Sequence, residues 1–244
     1  MDKRVMPVLI PLSIAAAVLV AFLFRDNTAY PQLVLGAGVE FSDTFTGSGE
    51  LSIHSPDTGT GWSEIINNGN DIVISGNAIE CDGGLSDGSL YTTDDTMSNT
   101  DYRVEVDATD PDGSDDTNWI AARVADTNNM YAVSFNEDLF VLYKKVSGSW
   151  SALSSNQGGI VSPGDVVYLD VTGTTISAGV NDVEQVSVTD SAISSAGSAG
   201  VGIGNIGQGS GQDCSGQIMD NFVVTVAAGG GGDPEMIYQS EFWF

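Results

Sequence analysis

Between residues 39 and 226, short apolar or alternating runs are separated by Gly, Asn, Asp and Ser. Over Tyr102–Ala108, apolar residues alternate with charged ones, which is the two-residue period of a half-buried strand. The run Trp119–Ala122 is apolar at every position, as is typical of a strand covered on both faces. The pattern predicts strands over Val39–Thr46, Asp71–Glu80, Tyr102–Thr109, Trp119–Ala125, Met130–Asn136, Leu139–Lys145, Val166–Thr172, Thr174–Val180, Glu184–Thr189, Val201–Ile206 and Gln217–Val226.

Turn signals divide these runs at intervals of about ten residues, and no amphipathic helix pattern occurs between them. The signals are Asn68-Gly69, Asp112-Gly113, Asn128-Asn129, Ser147-Gly148 and Asn181-Asp182. Many short strands at this spacing predict an all-β domain, in which two antiparallel sheets form a sandwich or jelly roll.

The N-terminal segment has a different pattern. Residues 5–24 contain no charged side chain, and Lys3 and Arg4 precede them. A helix of that length spans about 30 Å, enough to cross a bilayer, and the flanking charges place the rest of the chain outside the cytoplasm. Residues 1–25 are therefore predicted to form one hydrophobic helix. It is either a retained membrane anchor or a cleaved signal; its length and the poor cleavage site near Ala29 favour the anchor.

Composition distinguishes four segments after residue 25. A linker over residues 26–38 is predicted to precede a single domain over residues 39–226. Residues 227–234 include four consecutive glycines and form a second, flexible linker. The tail over residues 235–244 is either a hydrophobically docked end or a recognition segment for a partner or another copy of the chain. Its aromatic residues are Tyr238, Phe242, Trp243 and Phe244.

Charge narrows the choice of partners. The chain has 33 Asp and Glu residues against 7 Lys and Arg residues, which gives a net charge of −26. Such a surface repels phosphate backbones, so a nucleic-acid partner is excluded. Solubility at high salt, calcium binding and a cationic partner each explain the acidity. The spread of carboxylates along the whole chain favours solubility.

Cysteine and histidine are scarce. Cys81 and Cys214 lie far apart, and His54 is the only histidine, so a zinc site and a histidine-dependent triad are not expected. In an oxidising compartment the two cysteines would form a disulfide that closes a long loop. The alternative is two buried thiols that behave as small apolar residues.

Several motifs, in this order and spacing, carry a family resemblance. They are Asp43-Thr-Phe-Thr, Gly61-Trp62, the run Arg123–Phe135, the run Ser195–Ile203 and Asp220-Asn-Phe-Val-Val. Together they resemble the concanavalin A-like lectin/glucanase superfamily, in particular its laminin-G-like branch. The resemblance covers residues 39–226. It implies a two-sheet antiparallel jelly roll that binds glycans or proteins, often with calcium, and that sometimes hydrolyses polysaccharides.

The resemblance also suggests a catalytic motif. Some β-glucanases of the superfamily carry Glu-x-Asp-x-x-Glu on one strand, and this chain has Glu105-Val-Asp107-Ala-Thr-Asp110, with Asp in place of the final Glu. Retaining hydrolysis needs two carboxyl groups about 5–5.5 Å apart. In a regular strand Glu105 and Asp107 share a face, whereas Asp110 points to the other face unless a bulge re-aims it. An ordinary solvated strand face is the alternative, and the missing Glu favours it.

A second candidate is a calcium loop. Asp110, Asp112, Asp115 and Asp116 lie close together around a glycine, and such oxygen ligands suit a hard cation. The spacing does not match a complete EF-hand loop, so a solvated acidic turn is the alternative. Calcium is the only cofactor that the sequence suggests.

The third candidate is a ligand surface. Its predicted residues are Trp119, Arg123, Tyr131, Tyr143 and Trp150. Aromatic side chains can stack on the apolar faces of sugar rings, although core packing is the favoured interpretation for each of them taken alone. Trp150 lies in a polar turn and is the one most expected to be exposed.

These observations favour a surface-displayed binding domain, either membrane-anchored through residues 5–24 or secreted, that recognises a glycan or a surface protein. One alternative is a structural component of a cell envelope or virus particle, which would assemble through the aromatic tail. A polysaccharide hydrolase that uses Glu105, Asp107 and Asp110 is the third possibility.

Overall fold

The computed structural model describes residues 38–67, 71–82, 88–111, 117–157, 160–204, 206 and 216–226. The predicted N-terminal helix, the glycine linker and the aromatic tail lie outside these ranges. Within them, no helix is long and apolar enough to cross a membrane.

The described residues form sixteen strands and one short 3₁₀ turn, Leu51–Ile53. The strands are β1 (Gly38–Asp43), β2 (Gly49–Glu50), β3 (Trp62–Ile66), β4 (Ile72–Ser75), β5 (Ala78–Cys81), β6 (Ser89–Thr93), β7 (Tyr102–Pro111), β8 (Asn118–Asp126), β9 (Asn129–Phe135), β10 (Leu139–Val146), β11 (Ser149–Gln157), β12 (Asp165–Thr172), β13 (Thr175–Val180), β14 (Val183–Thr189), β15 (Ser198–Ile203) and β16 (Gln217–Val226).

The strands form two antiparallel sheets. The nine-stranded sheet has the order β14-β13-β12-β7-β16-β5-β4-β2, and β1 also pairs with β16. The seven-stranded sheet has the order β11-β10-β9-β8-β15-β6-β3. This arrangement confirms the predicted all-β, two-sheet antiparallel jelly roll.

The main core lies between the sheets and follows from strand alternation. Val104 and Val106 of β7 are fully buried, and they pack in one cluster with Ile120 and Ala122 of β8 from the other sheet. Arg103, Glu105 and their alternating neighbours on β7 face away from this core. Each buried aliphatic side chain contributes about 1.5–3 kcal/mol relative to an exposed one.

One predicted strand, Asp71–Glu80, is a hairpin. The chain turns at Gly76 and Asn77, whose φ angles are 63° and 66°, so that β4 pairs with β5. Two consecutive positive φ angles are the geometry of a tight type I′ hairpin, and Gly and Asn tolerate it well. The prediction also missed β2, β3, β6 and β11, because strands rich in Ser and Thr or only partly apolar give no clear alternation.

The motif Asp43-Thr-Phe-Thr begins at the buried last residue of β1. The buried Asp43 carboxylate accepts hydrogen bonds from Trp62 Nε1 at 2.7 Å, from the Phe45 N–H at 2.8 Å and from His54 Nε2 at 3.0 Å. Asp43 also pairs across strands with Phe222, whose ring packs edge-on against Trp62 at 5.0 Å. The first and last strands of the domain are therefore joined through this carboxylate and its aromatic neighbours.

Arg123 joins the two sheets. Its side chain is 1% exposed, and its guanidinium donates to the carbonyl oxygens of Thr100 at 2.9 and 3.1 Å, Gly173 at 2.9 Å and Ile193 at 3.0 Å. Thr100 precedes β7, Gly173 lies in the turn between β12 and β13, and Ile193 lies in the connection from β14 to β15. The Arg123 backbone N–H also donates to the Tyr102 hydroxyl. A cation on the seven-stranded sheet thus binds segments attached to the nine-stranded sheet.

Replacement of Arg123 should strongly destabilise the fold. We expect Arg123→Met to lower the free energy of unfolding in urea by at least about 3 kcal/mol, because three segments would lose a shared donor and the Ile193 carbonyl among them is buried. Arg103→Met is the control, since Arg103 is half-exposed and its carboxylate partners can be solvated; we expect a loss of about 1 kcal/mol. Equal losses for the two variants would contradict this role of Arg123.

A candidate ligand-binding surface on the seven-stranded sheet

The outer face of the seven-stranded sheet carries a second apolar cluster. Trp119 and Ala121 alternate along β8 with Ile120 and Ala122, which belong to the main core, so the first pair faces outward. Its buried members are Leu90, Trp119, Ala121, Val124, Met130, Ala132 and Ile206. The partly buried side chains that pack against these residues are Ile65, Ile66, Tyr143 and Trp150, and they form the apolar surface that is a candidate for binding.

Three aromatic side chains form what we call the aromatic patch: Trp119 from β8, Tyr143 from β10 and Trp150 from β11. The rings of Trp119 and Trp150 pack edge-on with centroids 6.0 Å apart, and those of Tyr143 and Trp150 do so at 6.2 Å. Trp119 is 2% exposed, whereas Tyr143 and Trp150 are half-buried. Trp119 is therefore the base of the patch, and the other two rings reach its surface.

Small residues between the rings make this arrangement possible. Ala132 on β9 pairs with Ala121 on one side and with Tyr143 on the other. Gly202 on β15 pairs with Trp119, and a Cβ atom added there would lie 2.2 Å from Trp119 Cε2. The indole of Trp119 thus lies across the backbone of Gly202, which only a residue without a side chain allows.

Two polar groups belong to the aromatic patch. Trp119 Nε1 is buried and has no hydrogen-bond partner, and such a donor costs about 1–3 kcal/mol. Lys145 Nζ lies 5.1 Å from the centroid of the Trp150 ring. Burial lowers the pKa of Lys145, although the nearby Asp126 carboxylate acts in the opposite direction. Burial also raises the pKa of Tyr143.

The structure places two of the predicted ligand residues elsewhere. Arg123 is buried between the sheets, where backbone carbonyls take its donors. Tyr131 is fully buried in the main core, and its hydroxyl donates to Asp190 Oδ1 at 2.6 Å. Burial, together with the hydrogen bond to Asp190, raises the pKa of Tyr131 to about 12. Both side chains therefore hold the fold together in the interior and do not contribute to the aromatic patch.

The predicted catalytic carboxylates lie on the opposite sheet, on β7. Glu105 Oε1 accepts from Arg103 Nη1 at 3.3 Å, and Asp107 Oδ2 accepts from Asn221 Nδ2 at 2.7 Å. A register shift against β16 pairs Asp110 with Ile218 and Ala108 with Met219. Because this bulge adds one residue to β7, Asp110 is re-aimed to the outer face that Glu105 and Asp107 share.

Sequence reasoning missed Asp220, which pairs with Asp107 across β16 and β7. Burial raises the pKa of Asp220, the backbone hydrogen bond from Asn221 lowers it, and the charges of Asp107 and Asp43 raise it further. Asp220 belongs to the Asp-Asn-Phe motif, which the sequence shows. Its pairing with Asp107 could not be predicted, because the register of β7 and β16 depends on the bulges in both strands.

The other predicted sites fall largely outside the described residues. Of the calcium candidates, Asp110 is described and exposed, whereas Asp112, Asp115 and Asp116 are not described. Within the described ranges, no group of three or more His, Cys, Asp or Glu side chains could hold a metal ion. Cys81 is disulfide-bonded at the end of β5, and its predicted partner Cys214 lies outside these ranges. Tyr238, Phe242, Trp243 and Phe244 of the tail lie outside them as well. The calcium loop and the role of the tail stay predictions.

The raised pKa of Asp220 has a consequence for stability. A folded-state pKa above the unfolded value, about 3.9 for Asp, stabilises the fold at low pH, and this contribution is lost as pH rises through the folded value. We therefore expect Asp220→Asn to raise the free energy of unfolding at pH 7 by somewhat under 1 kcal/mol, roughly the size of a surface charge interaction.

Urea unfolding from pH 3 to pH 7 checks this expectation. The variant should gain stability relative to the wild type as pH rises, and Asp107→Asn should give a gain that is less than additive with it. A loss of stability for Asp220→Asn at pH 7 would contradict the assignment.

Comparison with known proteins identifies solved structures of similar fold. No family model matches the chain, and no curated protein matches it. Among solved structures, SCLam, a non-specific endo-β-1,3(4)-glucanase from family GH16, has a TM-score of 0.55 at 11% identity, over 83% of this chain and 94% of that one. The laminarinase from Rhodothermus marinus has a TM-score of 0.51 at 13% identity, over 78% and 98% of the two chains. A protein with a galectin-like fold from Bacillus subtilis has a TM-score of 0.51 at 10% identity, over 78% and 97%.

At these identities the similarity is one of fold. It extends over nearly the whole length of each of the three structures. The chain therefore has the same two-sheet jelly-roll fold as these three structures.

Proposed function

We propose that this protein is a glycan-binding domain whose ligand surface is the aromatic patch. The observation that carries the proposal is that the half-buried rings of Trp150 and Tyr143 reach the surface above the buried Trp119, on the outer face of a sheet. A sugar ring has an apolar face that matches an aromatic ring in size, and it stacks there with its hydroxyl groups directed to the rim.

The unpaired N–H of Trp119 supports this proposal. It lies within the aromatic cluster and donates to no acceptor, although its side chain is 2% exposed. A ligand hydroxyl that reached it after a small movement of Trp150 would remove the cost of that unpaired donor. In a ligand-binding surface this N–H can donate to the ligand, whereas a purely structural apolar cluster would be more stable without an unpaired donor.

The similar structures add support for the chemical class of ligand. One is named as a β-1,3(4)-glucanase and another as a laminarinase, and both have TM-scores above 0.5. We take a glycan rather than a protein as the ligand on this basis. The net charge of −26 also disfavours nucleic acid.

We further propose that the domain is displayed outside the cytoplasm, as a lectin-like binding or adhesion domain. The uncharged residues 5–24 and the preceding Lys3 and Arg4 support export, with the segment either retained as an anchor or cleaved. In a structural component of an envelope or particle, the aromatic tail would instead carry the function, through assembly of copies.

A polysaccharide hydrolase is the second candidate. The bulge in β7 favours it, since Glu105, Asp107 and Asp110 share one outer face. The ion pair between Glu105 and Arg103 disfavours it, because a paired carboxylate is a poorer general acid. Release of reducing sugar ends that is abolished in Glu105→Gln would establish the hydrolase, and activity that persists in this variant would remove Glu105 from the mechanism.

Removal of the Trp150 ring should abolish most glycan binding. We expect Trp150→Ala to weaken binding of β-glucan oligosaccharides at least about tenfold, because the stacking surface is lost. Trp150→Phe retains a ring and should bind with an intermediate affinity. Val183→Ala, an exposed apolar position on the other sheet, is the control and should bind like the wild type.

Isothermal titration of the full chain with a panel of neutral and acidic oligosaccharides measures these affinities. The proposal is wrong if the wild type binds none of the panel, or if Trp150→Ala binds as tightly as Val183→Ala.

A further inference from the structure

The described residues contain four Lys and Arg side chains, and three of them have partners within the fold. Arg103 pairs with Glu105, Asp170 and Asp182. Arg123 donates to buried backbone carbonyls, and Lys144 Nζ lies 2.5 Å from Asp190 Oδ2. The fourth is Lys145.

Lys145 makes no ion pair within the part of the chain that the structure describes, where the pairs found involve only His54, Arg103, Arg123 and Lys144. The carboxylate whose charge acts on Lys145 is that of Asp126, which is fully exposed, so water screens the attraction. The Asp126 oxygens accept hydrogen bonds from the Asn128 N–H and from Asn129 Nδ2. No hydrogen bond or ion pair of the Lys145 ammonium group is found among the described residues, so its donors are available to a ligand.

This ammonium group lies at the aromatic patch. Lys145 and Trp150 are directly opposite each other on β10 and β11, and Nζ is 5.1 Å from the Trp150 ring centroid. A cation at this distance is attracted to the ring and is held over one part of its face. Lys145 is also half-buried, which removes some of the hydration of its ammonium group and lowers its pKa. An anionic group of a ligand would replace the lost water.

We infer that the aromatic patch selects carboxylated glycans: the sugar ring stacks on Trp150 and Tyr143, and the uronate carboxylate binds Lys145 Nζ. This inference rests on the proposed glycan-binding function and adds the chemical class of the ligand. A charge-assisted hydrogen bond between an ammonium group and a carboxylate is roughly twice as strong as a neutral one, so it can set the preference.

The acidity of the whole chain does not prevent this contact. The net charge of −26 is distributed along the sequence, and at 0.15 M salt the Debye length is about 8 Å. Charges farther away than that are largely screened, so the group closest to the ligand carboxylate determines the interaction. On the aromatic patch that group is Lys145, and the nearby Asp126 carboxylate is fully exposed, so water screens its repulsion of the ligand.

Paired ligands and paired variants test the inference. The ligands are an oligogalacturonate and its carboxyl-reduced form, which keeps the same linkages but is neutral, titrated into the full chain at 0.15 M salt. Lys145→Gln removes the charge and Lys145→Arg keeps it. Lys144→Gln is the matched control, because it removes the same charge one residue away, where the side chain pairs with Asp190.

We expect the wild type to bind the acidic oligomer about tenfold more tightly than the reduced one, the ratio that a single good ionic contact gives. Lys145→Gln should remove this preference, so that the ratio of the two affinities falls to about one. Lys145→Arg and Lys144→Gln should retain the preference.

Equal affinity of the wild type for the two oligomers, or a preference that survives Lys145→Gln, would overturn the inference. The proposed glycan-binding function would stand in that case, provided that Trp150→Ala weakens both ligands. Binding of neither oligomer by the wild type would overturn the inference. If the panel of neutral oligosaccharides also failed to bind, the proposed function would fail with it.

Discussion

The guanidinium of Arg123 is the contact on which the two-sheet arrangement depends. It is a charge buried between the sheets, and such a group is tolerated only when every donor finds an acceptor. The acceptors are backbone carbonyls of three separate segments, so the guanidinium fixes where the chain enters β7, where it turns after β12 and where it crosses to β15. The φ of 50° at Arg123 interrupts the alternation of β8 and directs this side chain inward.

This contact also positions the candidate site. β8 is the middle strand of the seven-stranded sheet, with β9 and β15 as its neighbours. Trp119 lies four residues before Arg123 on that strand and faces outward, with Gly202 on one side and the small residues of β9 on the other. The same strand therefore holds the interior together through Arg123 and supports the outer aromatic patch through Trp119.

Features of the fold that local sequence determines could be predicted, whereas features that depend on contacts between distant segments could not. Strands with strict alternation, such as β7, and turns with Asn and Asp, such as Asn181-Asp182, were predicted because local sequence determines them. The role of Arg123 was misread. A lone charge within an apolar run resembles a ligand residue, and the carbonyl groups that satisfy it come from segments 20 to 70 residues away.

In the candidate site, too, some features follow from local sequence and others depend on long-range strand pairing. The polar neighbours of Trp150 predict an exposed ring, but the ring is half-buried because it packs against Trp119, and that contact depends on the pairing of four strands. The outward orientation of Asp110 depends on one bulge in β7. Strand register is set by long-range pairing, so sequence periodicity alone does not provide it.

The most direct test of the ligand surface is the indole ¹⁵N–¹H spectrum of the full chain, which has four tryptophans. Single Trp→Phe variants would assign the signals. Addition of the tightest-binding oligosaccharide should shift the signals of Trp119 and Trp150 together, with saturation, and leave Trp62 unchanged, since its Nε1 is already bonded to Asp43 in the core. A bound oligosaccharide that left the Trp119 and Trp150 signals in place would contradict the assignment of the aromatic patch as the binding surface.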